Sequence, residues 1–105
     1  MVHQVENSED FANQLQQAED KLVVVDFFAT WCGPCKMISP HIEEMSKIME
    51  DVVFLKVDVD ECEEIAQEYK ITAMPTFIFI KSKEKVGELT GANVDKLKEM
   101  VASNK

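Results

Sequence analysis

The 105-residue chain contains no arginine, and its positive charge comes from eleven lysines set against twenty acidic residues. The resulting net charge of −9 would repel a phosphate backbone. The bidentate guanidinium group that reads base edges is also missing. A nucleic acid is therefore excluded as a partner, and the charge favours partners with basic surface patches.

Long apolar runs are absent as well. The longest aliphatic run is 22–25, far shorter than the roughly 20 apolar residues that a membrane-spanning helix needs, so we expect no membrane association. The first residues show no basic stretch followed by an apolar one, and we expect no secretory signal. Because no repeat or Ser/Gly/Pro-rich linker divides the chain, its length predicts a single domain, residues 1–105.

Cysteine is scarce, with three residues in the whole chain. A small secreted protein that is held together by disulfides normally carries a larger and even number. The count suits a reducing compartment, and we expect a cytoplasmic protein. The sequence leaves entry into the nucleus open.

Apolar patterning predicts the element order β-α-β-α-β-α-β-β-α. The run 22–28 does not alternate, which is typical of a strand that is buried on both faces. The sequence therefore predicts an α/β fold with a mixed five-stranded central sheet and four helices on its two faces. The predicted strands are 2–5, 22–28, 52–59, 76–80 and 85–90, and the predicted helices are 8–18, 34–49, 60–69 and one that follows residue 93.

Ser8, Asp60 and Asn93 are the predicted N-caps of three of these helices. In the long helix, Pro40 is expected to introduce a kink. Apolar residues at helical spacing predict the buried side of that helix, namely Met37, Ile38, Ile42, Met45, Ile48 and Met49.

The sequence Trp31-Cys32-Gly33-Pro34-Cys35 lies between the apolar strand and the long helix. Two cysteines at this spacing in an α/β chain indicate a redox site. A cysteine at a helix N-terminus faces unpaired N–H groups and the positive end of the helix dipole, which lower the pKa of its thiol. Cys32 occupies this position and is expected to be the more exposed thiol, while Cys35 lies deeper on the same helix face.

Two other interpretations of the cysteine pair remain. The pair could form half of a zinc site, but the only further ligands are His3, His41 and Cys62, which are widely scattered. It could also be two buried thiols without a function, although the flanking Trp31 and the inserted Gly-Pro argue against this.

Residues 29–36, Ala-Thr-Trp-Cys-Gly-Pro-Cys-Lys, resemble the active site of the thioredoxin family. The resemblance extends over the chain through the segments 25–27, 74–76 and 91–93, through Pro40 and through Gly87, and it is strongest to cytosolic animal members. It implies a thioredoxin fold and a protein-disulfide reductase. In that chemistry Cys32 attacks a client disulfide, and Cys35 resolves the mixed disulfide. The resemblance also implies that a Cys32–Cys35 disulfide is the only redox group, without a bound cofactor or metal.

The resemblance also implies partners. An NADPH-dependent thioredoxin reductase would restore the dithiol, and clients would be disulfide-containing proteins such as peroxiredoxins. We expect a monomer. A second hypothesis from another class is a redox-sensitive binding regulator of client proteins.

Asp26 interrupts the buried strand. From the residues alone it is either a desolvated acid with a raised pKa or a carboxylate that satisfies a backbone group. The resemblance favours an acid that accepts the proton of Cys35. Some family members place a lysine beside this acid; here the equivalent positions are expected to be Val57 or Ser39, with Lys56 on the opposite face.

The resemblance further implies a cis bond before Pro75, which would expose the backbone of Ala73 and Met74 to an extended client peptide. We expect an apolar rim around this groove, formed by Trp31, Gly33, Pro34, Val59, Met74 and Ala92.

Cys62 has two interpretations: a small residue of the core or a regulatory thiol. Tyr69 and Ala73 stand where some animal members carry further cysteines, which weakens the case for a second disulfide. The sequence 81–84, Lys-Ser-Lys-Glu, lacks the glycine that is usual in this hairpin. Since a non-glycine residue with positive φ is strained, we expect a different turn type there.

Overall fold

A computed structural model describes all residues, 1–105, and contains the predicted order of elements. Four helices and five strands alternate along the chain, and two consecutive strands precede the last helix. The bounds are β1 His3–Gln4, α1 Ser8–Ala18, β2 Leu22–Phe28, α2 Gly33–Ile48, β3 Val52–Asp58, α3 Glu63–Glu68, β4 Thr76–Lys81, β5 Glu84–Thr90 and α4 Val94–Asn104.

The strands form one mixed sheet in the order β1-β3-β2-β4-β5. Strand β3 runs parallel to β1 and to β2, whereas β4 is antiparallel to β2 and to β5. Strand β2 lies in the middle, and its alternate residues enter two separate cores, as the continuous apolar run predicts. One core contains Val23, Val25 and Phe27 with residues of α1 and α3, and the other contains Leu22 and Val24 with residues of α2 and α4.

Two of the three predicted N-caps are wrong. Helix α1 is capped by Asn7, whose Oδ1 accepts the N–H of Asp10, so that Ser8 is already helical. Asp60 does not cap α3, because the carboxylate of Asp58 accepts the N–H groups of Asp60 and Glu61 and holds them in a turn before the helix. Asn93 does cap α4, as predicted, by accepting the N–H of Lys96.

Helix α2 continues through Pro40, and its buried face is narrower than expected. Ile38, Ile42 and Met45 are buried, whereas Met37 and Ile48 are exposed. These two residues extend the apolar pattern around the helix to positions that face away from the sheet.

The hairpin between β4 and β5 also differs from the prediction. Lys81 pairs with Glu84, which leaves Ser82 and Lys83 as a two-residue loop. Both loop residues have positive φ, 52° and 68°, which is the conformation of a type I′ turn. The short connection between twisted strands imposes this turn even without glycine.

No helix in the chain combines the length and the apolar character that crossing a membrane requires.

Candidate functional site

The end of β2 and the start of α2 bring the two cysteines together. Cys32 is the N-cap residue of α2, and its Sγ accepts the N–H of Cys35 at 3.2 Å. Gly33 and Pro34 form the first helical positions, where the missing N–H of proline leaves no donor unpaired. Cys32 and Cys35 are joined by a disulfide. The site therefore holds a redox pair at the positive end of a helix.

The two cysteines do not differ in exposure as expected. Cys32 is 6% exposed and Cys35 is 5% exposed, so both are buried in the disulfide state. They differ in what they face. The Sγ of Cys32 lies 3.7 Å from the carbonyl oxygen of Met74, toward the outer loop, whereas Cys35 lines an inner cavity together with Asp26.

The loop before β4 lies against Cys32. The Met74–Pro75 peptide bond is cis, as the resemblance implies. The hydroxyl of Thr76 donates to the carbonyl of Ala73 at 2.6 Å and closes this turn. The N–H of Gly91 donates to the carbonyl of Pro75 at 2.9 Å, which places Gly91 and the adjacent Ala92 beside the same loop.

The residues of the predicted rim have different degrees of exposure. Val59 and Met74 are half-buried and pack against Ala29 and the two cysteines. Trp31 is 67% exposed, and the open space above the Cα of Gly33 leaves that turn accessible. Other exposed rim residues are Pro34, Ala73 and Ala92.

Asp60 has a different role from the predicted N-cap of α3. Its carboxylate accepts the indole N–H of Trp31 at 2.9 Å, and this bond holds the exposed ring at the edge of the site. The contact joins two loops 29 residues apart in sequence, and no local pattern indicates it.

Asp26 is buried on β2, 7% exposed, and its Oδ1 has no hydrogen-bond partner. The interpretation that it satisfies a backbone group is therefore wrong. Burial penalises the charged carboxylate and raises its pKa from 3.8 to about 7, although the positive charge of Lys56 acts in the opposite direction. The acid is consequently close to half-ionised at neutral pH.

The expected position of Lys56 is wrong. In the parallel register Lys56 pairs directly with Asp26, so both side chains project from the same face of the sheet. The ammonium group of Lys56 lies 5.8 Å from the ring centroid of Phe28. Val57 points into the other core, and Ser39 lines the same cavity as Asp26 without contributing a charge.

This cavity has a volume of about 250 Å³ and lies beneath the disulfide. Asp26 and Cys35 share it, with Lys36 and Ser39 from α2 and Lys56 from β3. The buried acid and the inner cysteine therefore border the same space. Elsewhere, no cluster of His, Cys, Asp or Glu side chains is arranged to hold a metal ion.

Cys62 lies in the core between α3 and the N-terminal segment. Its Sγ is 3.6 Å from the carbonyl oxygen of Val5 and 3.7 Å from that of Glu6. Burial raises the pKa of its thiol, and the nearby carboxylates of Glu61, Asp58 and Asp10 raise it further. These effects oppose the lowering of the pKa that a helix start would give, and the regulatory interpretation stays a prediction.

Comparison with known proteins agrees with this geometry. The thioredoxin family model matches residues 2–103. Thioredoxins of Homo sapiens and Callithrix jacchus are each 54% identical over 97 residues, covering 92% of this chain and 92% of each relative. The structure of Fasciola hepatica thioredoxin superimposes with a TM-score of 0.96 at 44% identity, covering 98% of this chain and 99% of that one. The structure of reduced Schistosoma mansoni thioredoxin superimposes with a TM-score of 0.95 at 49% identity, covering 99% of this chain and 98% of that one.

The family acts through a redox-active disulfide, with thioredoxin reductase and disulfide-bearing proteins as partners, and the Cys32–Cys35 pair supplies that disulfide here. These similarities do not favour the alternative of a redox-sensitive binding regulator. The chain belongs to the thioredoxin family and is a dithiol protein-disulfide reductase.

Proposed function

We propose that Cys32 is the nucleophile of this reductase and Cys35 its resolving thiol. The observation that carries the assignment is the N-cap of α2, where the Sγ of Cys32 accepts the N–H of Cys35. In the reduced protein the same N–H and the helix dipole would stabilise a thiolate at Cys32. Cys35 lies one turn into the helix, faces the inner cavity and has no equivalent support.

The two steps follow thiol–disulfide exchange. The Cys32 thiolate attacks one sulfur of the client disulfide, the client S–S bond breaks, and the other client sulfur leaves as a thiolate. The Cys35 thiolate then attacks the Sγ of Cys32, and the bond between Cys32 and the client breaks. The client has gained two electrons, and the protein has become the disulfide that the structure shows.

Asp26 accepts the proton of Cys35 in the second step. A base is most effective when its pKa lies near the working pH, and burial raises the pKa of Asp26 to about 7. The shared cavity supports this role, because the carboxylate and Cys35 both line it.

The groove around Cys32 binds an extended client segment. The backbone of the exposed Ala73 and the half-buried Met74, next to Pro75, would pair with the client main chain, which gives affinity with little side-chain selectivity. Trp31 and Val59 would contact client side chains. Gly33, Pro34 and Ala92 complete the rim.

Alkylation of the reduced protein tests these roles. We expect brief iodoacetamide treatment to modify Cys32 first, with half-maximal reactivity below the usual thiol pKa of about 8.5, because only the Sγ of Cys32 accepts a helix N–H. Mass mapping of the labelled peptides gives the order. Faster labelling of Cys35 would reverse the assignment.

Cys62 lies outside this machinery. We expect Cys62→Ser to keep at least half of the client-reduction rate, because the side chain is buried against Val5 and Glu6 and lines neither the groove nor the inner cavity. The measurement is the initial rate of NADPH consumption with thioredoxin reductase and insulin. A tenfold loss in a folded variant would show that Cys62 takes part in the reaction.

The proposal also covers the domain organisation, oligomeric state, location and electron partners of the protein. Residues 1–105 act as one domain and as a monomer in the cytoplasm. There the protein carries electrons from NADPH, through its reductase, to clients such as peroxiredoxins and so maintains the redox state of the cell. Support comes from the family, from the small number of cysteines and from the acidic charge of −9, which suits partners with basic patches.

A further inference from the structure

The ammonium group of Lys56 takes an unexpected position. Lys56 lies directly opposite Asp26 in the parallel register, which places the two side chains next to each other on one face. None of the three ion pairs of the chain involves either residue. The ammonium instead lies over the ring of Phe28, two residues further along β2 on the same face as Asp26.

No ion pair with a neighbouring group accounts for the position of the Lys56 ammonium over this ring. Lys36 and Cys35 line the cavity from α2, and the residue of β4 opposite Asp26 is the apolar Phe77. On β3 the other acid of this face, Asp58, lies opposite Phe28; its Oδ1 accepts the N–H groups of Asp60 and Glu61, and it forms no ion pair with Lys56.

The unpartnered Oδ1 of Asp26 is a free acceptor beside the Lys56 side chain, and it becomes a strong one whenever the acid is ionised. The ammonium group lies over an aromatic ring instead. The face of an aromatic ring attracts a cation, and the observed separation of 5.8 Å lies within the range of that interaction.

We propose that Phe28 is a positioning residue, whose ring holds the Lys56 ammonium at the edge of the cavity and keeps it out of ion-pair contact with Asp26. The consequence for the reaction rests on the proposed role of Asp26 as a proton acceptor. An ion pair would stabilise the carboxylate, lower its pKa and make it a weaker base for Cys35. With Lys56 on the ring, the acid keeps a pKa near neutrality.

The test is a carboxyl ¹³C NMR titration of Asp26 in the oxidised protein, in which neither active-site cysteine titrates. Phe28→Leu removes the ring but keeps an apolar side chain, and Phe28→Tyr keeps the ring. We expect Phe28→Leu to lower the titration midpoint of Asp26 by about half a pH unit and Phe28→Tyr to leave it unchanged. In a Lys56→Met background, Phe28→Leu should cause no shift.

An unchanged or raised midpoint in Phe28→Leu would overturn the proposal. An equal shift with and without Lys56 would also overturn it, because the ring would then act through burial alone. A second measurement needs no variant: the ε-methylene protons of Lys56 should be shifted upfield by the ring current of Phe28, and random-coil positions would contradict the contact. Neither readout depends on turnover. If the shifts appear while Asp26→Asn resolves the mixed disulfide normally, the positioning role stands and the proton-acceptor role fails.

Discussion

Cys35→Ser is expected to stop turnover and to accumulate a mixed disulfide between Cys32 and the client. The variant keeps the thiol at the N-cap of α2, so the first attack proceeds, but the side chain that would release the client is lost. The steady-state rate in the NADPH-coupled assay should fall by roughly a thousandfold or more, as for the loss of an essential reacting group. Non-reducing gels with mass spectrometry should show a one-to-one adduct through Cys32.

Cys32→Ser is the matched variant, and it should lose turnover to the same extent without forming an adduct. Cys62→Ser supplies the control for the third thiol. If Cys32→Ser trapped the client as a mixed disulfide and Cys35→Ser did not, the two roles would be interchanged. Substantial turnover by either variant would contradict a two-cysteine mechanism.

Asp26→Asn is expected to stabilise the protein, and the gain should grow with pH. The folded-state pKa of Asp26 is raised to about 7 from the usual 3.8, chiefly because burial penalises the charge. Between these values the folded protein holds a proton that the unfolded chain releases. The free energy of unfolding of the wild type therefore falls as pH rises from about 4 to about 7 and levels off above.

An amide at position 26 removes this dependence. Between pH 5 and pH 8, the difference in free energy of unfolding between Asp26→Asn and the wild type should increase by about 2.5 kcal/mol. Urea unfolding at the two pH values measures it. Asp20→Asn, at an exposed turn position after α1, is the matched control for removing one carboxylate. Equal differences at pH 5 and pH 8 would show that Asp26 has an ordinary pKa in the folded protein.

The same variant has a kinetic consequence. Without the carboxylate, Cys35 must lose its proton to water, so we expect release of the mixed disulfide to slow by roughly ten- to a hundredfold. The first attack by Cys32 should change much less. Stopped-flow reduction of a model disulfide separates the two steps, and an unchanged second step would leave Asp26 buried but without a catalytic role.

Features that depend on local chemistry could be predicted from the sequence. The non-alternating run of β2 indicated burial on both faces, and the position of Cys32 before Gly33 and Pro34 indicated a thiol at a helix N-terminus. In both cases the residues that indicate the feature are adjacent in the sequence. Helix starts were less certain, because Asn7 and Ser8 are both good caps and one position separates them.

Features that depend on register could not be predicted. Lys56 was expected on the wrong face because the pairing of Asp26 with Lys56 is set by the packing of the α2 crossover, which no local pattern records. The same holds for the Trp31–Asp60 hydrogen bond, which joins distant loops. The Ser82–Lys83 turn shows tertiary geometry overriding residue preference, since β4 and β5 are joined too closely for a longer loop.

The reduction potential of the Cys32–Cys35 pair tests the central claim most directly. The protein should be equilibrated with a series of reduced and oxidised glutathione mixtures, and the fraction of dithiol should be determined by alkylation and mass spectrometry. A dithiol that reduces proteins should have a potential near the value typical of thioredoxins, about −270 mV. A potential above about −180 mV, in the range of oxidases and isomerases, would contradict its function as a general disulfide reductase.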